Sequence, residues 1–405
     1  MSNIKKYCIF TTIYNVGYTF CTGIIMQTFL NQVGFSEEQV YVLNSVMQIM
    51  QVAVMLVLTF LSGKIKRVKT VTSISYLSLS LLAVVFLLGA INPELIKNGY
   101  VIAVFIVAGI SYVGVGLHNI ISYCLPYHTI DMKEYGKMIG ISTAIAGGTS
   151  FLMSSVYSIL VTKFSHMYMR ITAAFFVLAI VCFIVASIVC ASMREKAVET
   201  TPEDEKKDDI GAVFKNKNTY LLLIPNFVRG LAVGIFSVIV TIAISTNLLN
   251  ETTSSYVNVI LQIATFAANM FFAFTCKKMS TKNVLLIATI GVCVSFPLSL
   301  EFGTIGFFCC FAIASFFRLV TDTAIPVIIT EIIPKEQIGP YTSIRMLVFT
   351  GAQAVATLLI TPLKNVVGYT GVLIFATVML FICCVTYYAV AKSVKRNSQS
   401  ANKID

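Results

Sequence analysis

Residues 303–330 read GTIGFFCCFAIASFFRLVTDTAIPVIIT, an apolar run without lysine or glutamate, interrupted by Arg318 and Asp322. A helix of about 20 apolar residues crosses a hydrocarbon core of about 30 Å, so this stretch is long enough to span a bilayer. Comparable stretches recur along the whole 405-residue chain, which is 57% hydrophobic and 12% charged. That is too apolar for a soluble globular chain. A soluble all-helical core would carry polar faces on its outer helices, and none is present. The expected fold class is an all-α membrane protein.

Hydropathy predicts twelve spans, at about 7–30, 39–62, 70–91, 99–124, 138–161, 168–192, 218–246, 253–276, 283–300, 303–330, 342–361 and 367–391. Lys5 and Lys6 precede an apolar run as they would in a signal peptide. The run is too long and no small-residue cleavage site follows, so it is read as the first span. The mixed-charge segment 193–217, MREKAVETTPEDEKKDDIGAVFKNK, separates the sixth span from the seventh and reads as a solvated linker. The predicted organisation is an amino-terminal six-helix half at 1–192, the linker at 193–217, a carboxy-terminal half at 218–391 and a tail at 392–405.

Basic residues give the orientation. With a cytoplasmic N-terminus, the inner segments hold Lys5, Lys6, Lys64, Lys66, Arg67, Lys69, Lys133, Lys137, Lys277, Lys278, Lys282 and Lys335, together with those of the linker and tail. The outer segments hold only Lys97, Lys163, Arg170 and Lys364. Both termini and the linker are therefore expected in the cytoplasm of a cell membrane, with a bacterial inner membrane as the expected setting. The net charge of +11 then has a topological origin, and no nucleic-acid partner is expected. The eleven cysteines sit almost all in apolar spans without repeating spacing and read as small hydrophobes. The three histidines are scattered and give no metal site. No phosphate loop is present, since Gly63-Lys64 and Gly136-Lys137 lack the upstream glycine. No cofactor is expected.

The two halves repeat. YNVGYTFCTGI at 14–24 aligns without gaps on PNFVRGLAVGI at 225–235, matching Asn15 with Asn226 and Gly23 with Gly234. NSVMQIMQVA at 44–53 aligns on NVILQIATFA at 258–267, matching Asn44 and Gln48 with Asn258 and Gln262. HNIISYCLP at 118–126 falls under RLVTDTAIP at 318–326, setting His118 opposite Arg318, Ser122 opposite Asp322 and Pro126 opposite Pro326. Matches in one order and at a near-constant offset describe a parallel duplication of a six-helix unit.

With twelve spans, a charged central linker, basic loops after spans 2 and 8, and IIPKEQIGPYTSIR at 332–345 entering the eleventh span, the chain resembles the major facilitator superfamily over its full length. The basic loop GKIKRVK at 63–69 departs from the family pattern by lacking its acidic residue and second glycine. The resemblance implies that spans 1, 4, 7 and 10 line a central cavity, while spans 3, 6, 9 and 12 face lipid. The polar residues agree with that plan. Arg229, Arg318 and Asp322 lie on spans 7 and 10, and Asn15, Asn226 and Asn119 lie on spans 1, 7 and 4.

A charge at the centre of a bilayer costs about 2.5–3.5 kcal/mol even on the lenient insertion scale. Arg318 and Asp322 at i, i+4 share a helix face and can pair. The pair either compensates itself for packing alone or lines a wet cavity, where protonating Asp322 would release the arginine and couple transport to a proton. Arg229 has no acid in reach on its own helix: either it pairs with Asp322 in an empty cavity, or, because one carboxylate cannot satisfy two guanidinium groups, the cavity is left net positive. A net positive cavity favours carboxylate or phosphate, while Asn15, Tyr18, Asn119 and Asn226 offer groups suited to a sugar. His118 is either a second proton carrier or a packing group. Asn44 and Gln48 on span 2, with Asn258 and Gln262 on span 8, form polar stripes that read as helix-interface hydrogen bonding or as cavity lining. The glycines of GVGLHN at 114–119 suit close helix contact, and Pro126 and Pro326 are expected to bend or end their helices.

The leading expectation is a secondary transporter, not an enzyme, moving a sugar, sugar acid or organic anion and coupled to H⁺ or another cation. Its partners would be the solute, the coupling ion and the lipid bilayer, and it is expected to act as a monomer. A drug exporter on the same scaffold is the alternative. Span 5 reads GISTAIAGGTSFLMSSV, with Gly147 and Gly148 but without the proline of the exporters' fifth-helix element. A non-transporting sensor is the other alternative.

Overall fold

The computed structural model describes residues 2–61, 67–92, 99–129, 132–194, 217–275, 278–332 and 338–401. The central part of the predicted linker, much of the basic loop at 63–69 and the start of the loop at 332–345 lie outside these residues. The described residues fold into α-helices and two short 3₁₀ turns. The first half runs α1 (Asn3–Cys21), α2 (Gly23–Gln32), α3 (Glu37–Leu61), α4 (Val68–Ile91), α5 (Tyr100–Thr129), α6 (Met132–Lys163) and α7 (Tyr168–Ala191). The second runs α8 (Lys217–Ser237), α9 (Ile239–Ser245), α10 (Glu251–Thr275), α11 (Thr281–Ser295), α12 (Gly303–Ile332) and α13 (Ile338–Ala401).

Among the described residues, ten helical segments are long and apolar enough to cross a membrane, and the broken pair α8–α9 supplies an eleventh. One of the ten, Tyr341–Ala389, is 49 residues long. At 1.5 Å per residue it would measure about 74 Å, more than twice a hydrocarbon core. It is interrupted at Gly368, whose φ of 70° is open to glycine because no Cβ clashes there. Two spans therefore share α13, and the total is twelve.

Two expected spans are found broken. The span predicted at 7–30 parts at Thr22, which is extended at φ −137° and ψ 171°, into α1 and α2. The span predicted at 218–246 parts at Val238, and its two pieces differ in direction by 42°. The prolines, by contrast, do not end their helices: α5 continues past Pro126 to Thr129, and α12 continues past Pro326 to Ile332.

The chain divides into two compact units, Met1–Glu199 with Ser237–Gln262, and Thr200–Phe236 with Ile263–Asp405. In the first unit α4 packs on α5 and α7, α1 on α6 and α7, and α3 on α5. Gly114 and Gly116 make the contacts of α5 possible. A Cβ at Gly114 would lie 2.8 Å from the Ser75 carbonyl of α4, and one at Gly116 would lie 2.8 Å from the Gln51 carbonyl of α3. In the second unit α11 packs on α12 and α13. Large apolar side chains such as Leu152, Ile188, Ile305 and Phe274 remain exposed, as expected of helices whose outer solvent is lipid.

Candidate functional site

The intramembrane charges of the second unit gather at one place. Arg229 stands on α8 and only 6% of it is exposed. Its Nη2 donates to Oδ1 of Asp322 on α12. Arg318, one turn before Asp322 on α12, brings its Nη1 to 3.7 Å from Oδ2. The carboxylate thus serves both guanidinium groups, and the hydrogen-bonded partner is Arg229, not the neighbour four residues away. Two cations share one anion, which leaves the cluster with a net positive charge.

Each guanidinium lies against an aromatic ring. Arg229 Cζ sits 4.9 Å from the Phe349 ring of α13, and Arg318 Cζ sits 4.6 Å from the Phe236 ring of α8. Rings at this distance attract a cation through their quadrupole. Close packing of α8 on α13 sets the first pair. A Cβ at Gly230 would come within 2.4 Å of the Phe349 carbonyl, so glycine permits the approach. The second ring is itself fixed by stacking on Phe296 at 5.0 Å and Phe311 at 5.5 Å. The buried Nε atoms of both arginines find no hydrogen-bond partner among the described residues. A guanidinium edge with an unused N–H is a donor for a carboxylate, phosphate or water oxygen.

Asn226 lies one turn before Arg229 and is fully buried. Its Nδ2 donates to the Leu222 carbonyl at 2.7 Å and reaches the Tyr341 hydroxyl of α13 at 3.1 Å, while its Oδ1 has no partner. Arg229 also lines a small cavity together with Thr289, Thr321, Cys383 and Cys384. The described cysteines are free thiols. Among the described residues no group of three or more His, Cys, Asp or Glu side chains is placed to hold a metal.

The remaining residues singled out from sequence lie in the first unit or in α10. Asn15 on α1 donates to the Thr11 carbonyl at 2.7 Å. Tyr18, one turn on, stands 5.7 Å from the Tyr14 ring and shares a hydrogen bond with Tyr112 of α5. His118 of α5 is flanked by the rings of Tyr14 at 4.6 Å and Tyr76 at 5.3 Å, with its Nδ1 buried and unpartnered. Asn119 follows it and is half-buried. Asn44 bonds back to the Val40 carbonyl at 2.9 Å within α3, and the Oε1 of Gln48 is buried without a partner. Asn258 of α10 donates to Ser154 Oγ of α6 at 2.8 Å, whereas Gln262 is half-buried. Sequence reading missed Phe236, Phe349 and Tyr341. A phenylalanine in an apolar span carries no mark of the cation above it, so only the fold could identify the first two.

Twelve apolar spans and an ionic cluster buried within them define a polytopic membrane protein of the transporter type. The chain belongs to the Major Facilitator Superfamily, whose profile matches residues 8–242 and 222–404. That membership makes it an integral membrane protein of a transporter family rather than an enzyme. Among solved structures, the D-xylose–proton symporter is similar at 13% identity and a TM-score of 0.70, covering 95% of this chain and 97% of its own. The nucleoside transporter NupG is similar at 14% identity and a TM-score of 0.66, covering 96% and 99%. A bacterial homologue of the iron transporter ferroportin, in its inward-facing state, is similar at 12% identity and a TM-score of 0.70, covering 96% and 98%. At these identities the likeness is one of fold. No curated protein matches the chain in sequence.

Proposed function

We propose that the protein is a secondary transporter for a small polar metabolite bearing one anionic group, a sugar acid or organic anion, taken up with a proton. The observation that carries this reading is the sharing of Asp322 between Arg229 and Arg318. The surplus positive charge and the unused guanidinium Nε–H donors fit a single carboxylate or phosphate. Asn226 and Tyr341 suit the hydroxyls of such a solute, and the amino-terminal helices carry polar groups of the same kind at Asn15, Tyr18 and Asn119. The fold shared with a D-xylose–proton symporter and a nucleoside transporter supports a polar metabolite as cargo.

Coupling follows from charge balance. Protonating Asp322 removes the carboxylate that the two arginines share among the described residues and frees both for the solute anion. Solute and proton then enter together, since each lowers the cost of the other. His118 is the second titratable group we assign to the coupling path. The excess of lysine and arginine in alternate loops supports cytoplasmic termini in a cell membrane, and one chain forms the functional unit.

The test is a thermal-shift screen of purified protein against sugars, sugar acids and organic anions, followed by counterflow in liposomes. Arg229→Gln is expected to abolish counterflow of the stabilising solute while the protein remains monodisperse. Unchanged counterflow would remove Arg229 from the site and the anionic solute from the reading.

A further inference from the structure

The break in the seventh span has an identifiable cause. In an unbroken helix the N–H of Thr241 would donate to the carbonyl of Ser237, four residues earlier. Here that bond is open, and the side chain of Gln27, from α2, stands inside it. Gln27 Nε2 donates to the Ser237 carbonyl at 2.6 Å. Its Oε1 accepts from the Thr241 N–H at 3.3 Å and from the Thr241 hydroxyl at 3.1 Å. The carboxamide presents one donor and one acceptor, as a peptide unit does, so it replaces both ends of the missing bond. Gln27 is 1% exposed, and insertion of a side chain into the helical ladder is a recognised source of sharp kinks.

Beyond the kink, the chain packs with the first unit. Thr28 donates to Ser254 Oγ at 3.0 Å, Ser158 donates to the Ser255 carbonyl at 2.9 Å, and Asn258 donates to Ser154 at 2.8 Å. Residues 237–262 therefore belong by contact to the amino-terminal helices, although by sequence they continue the carboxy-terminal half. A bond that can be made in two ways, through Gln27 or directly, is a two-state element. With Gln27 inserted the helix is bent at 237–239. With Gln27 withdrawn, Thr241 N–H and Ser237 C=O can pair with each other, so neither backbone group is stranded.

We propose that Gln27 is a gating residue: its carboxamide wedges open the Thr241–Ser237 helical bond and holds 237–262 on the amino-terminal helices, and its withdrawal lets the seventh span straighten as the transporter changes state. The inference rests on the transporter reading proposed in the preceding section, but its test does not need a solute.

Ser255 is buried, and Ser255→Cys puts a near-isosteric thiol there. Its maleimide labelling rate in full-length protein is read on the isolated peptide by mass spectrometry, so native cysteines do not contribute. Adding Gln27→Leu is expected to raise that rate about tenfold, the effect of losing interactions worth about one to two neutral hydrogen bonds. Gln27→Glu keeps the size and the acceptor for Thr241 but sets a second oxygen against the Ser237 carbonyl, and should give an increase of the same sign. Thr241→Val removes only the hydroxyl bond and should give a smaller one. A labelling rate unchanged by Gln27→Glu and Thr241→Val overturns the proposal, even where Gln27→Leu fails to fold. If labelling shifts as expected but no solute undergoes counterflow, the wedge stands and the transport reading fails. If solute moves and labelling does not shift, the wedge alone fails.

Discussion

His118 and Arg318 occupy matching places in the two copies of the repeat, and so do Tyr18 and Arg229. Their surroundings are opposite in kind. His118 lies between two tyrosine rings and has no carboxylate among its described contacts, while Arg318 shares a carboxylate with Arg229. The duplicated backbone is nevertheless recognisable in small details. Asn15 and Asn226 are matched by the repeat, and each turns its Nδ2 back to the carbonyl four residues earlier at 2.7 Å. Duplication has kept the local helix chemistry and changed only what projects from it. One copy carries an aromatic cluster at this place and the other an ionic one.

The most severe way to break that contrast is Asp322→Asn, which makes the ionic cluster purely cationic. Removing one partner of a buried ion pair costs about 3–5 kcal/mol. The Asp322 side chain is 30% exposed, so the lower end applies. Melting should fall accordingly, and proton-driven accumulation of solute should be lost, while a bound anion should restore part of the stability. An unchanged melting temperature would mean that water, not Asp322, neutralises the arginines.

Next in size come the rings beneath the guanidinium groups. A cation over an aromatic face contributes about 0.5–2 kcal/mol. Phe236→Leu and Phe349→Leu should therefore weaken solute binding between about twofold and thirtyfold while keeping an apolar side chain of similar bulk. Titration of the thermal shift with solute gives the affinity. If both variants bind as the parent does, the rings fill space and the arginines are held by Asp322 alone.

The neutral copy is probed by His118→Phe, which keeps a ring between Tyr14 and Tyr76 but removes both nitrogens. Counterflow, which needs no net proton movement, should stay within about twofold, because the altered interactions are confined to neutral packing and hydrogen bonding. The pH dependence of uptake should differ from the parent's. A pH profile identical to the parent's would confine coupling to the ionic copy and deepen the contrast between the two.

What could be read in advance and what could not divide along physical lines. The twelve spans follow from hydropathy, which is local. The charged residues of the site declare themselves because an ionisable side chain in an apolar span has few tolerable places to be. Pairing of Arg229 with Asp322 was one of the readings open from sequence, but not which arginine stands closer to the carboxylate. The i, i+4 spacing points Asp322 at Arg318, yet the closer partner is Arg229, 93 residues away, because the approach of α8 decides the geometry. Helix breaks show the same division. Gly23 and Gly368, with φ of 59° and 70°, are residues that permit such a break. Ser237 and Val238 carry no such signal, since the group that opens the helix there is Gln27, brought in from α2.

The smallest expected effect tests how far the two copies still correspond. Asn15→Ala and Asn226→Ala each remove one back-bond to a helical carbonyl that already has its own backbone partner, so that loss alone should be slight. Asn226 also reaches the Tyr341 hydroxyl at 3.1 Å, and no counterpart bond joins Asn15 to another helix among its described contacts. The difference between the two variants should therefore approach the value of one neutral buried hydrogen bond, about 0.5–1.5 kcal/mol, with Asn226→Ala the less stable. Adding Tyr341→Phe isolates the term: it should destabilise the parent but change little in Asn226→Ala, since the bond is already gone. Equal losses for Asn15 and Asn226 would mean that Tyr341 finds another partner and that the bond between α8 and α13 does not distinguish the copies.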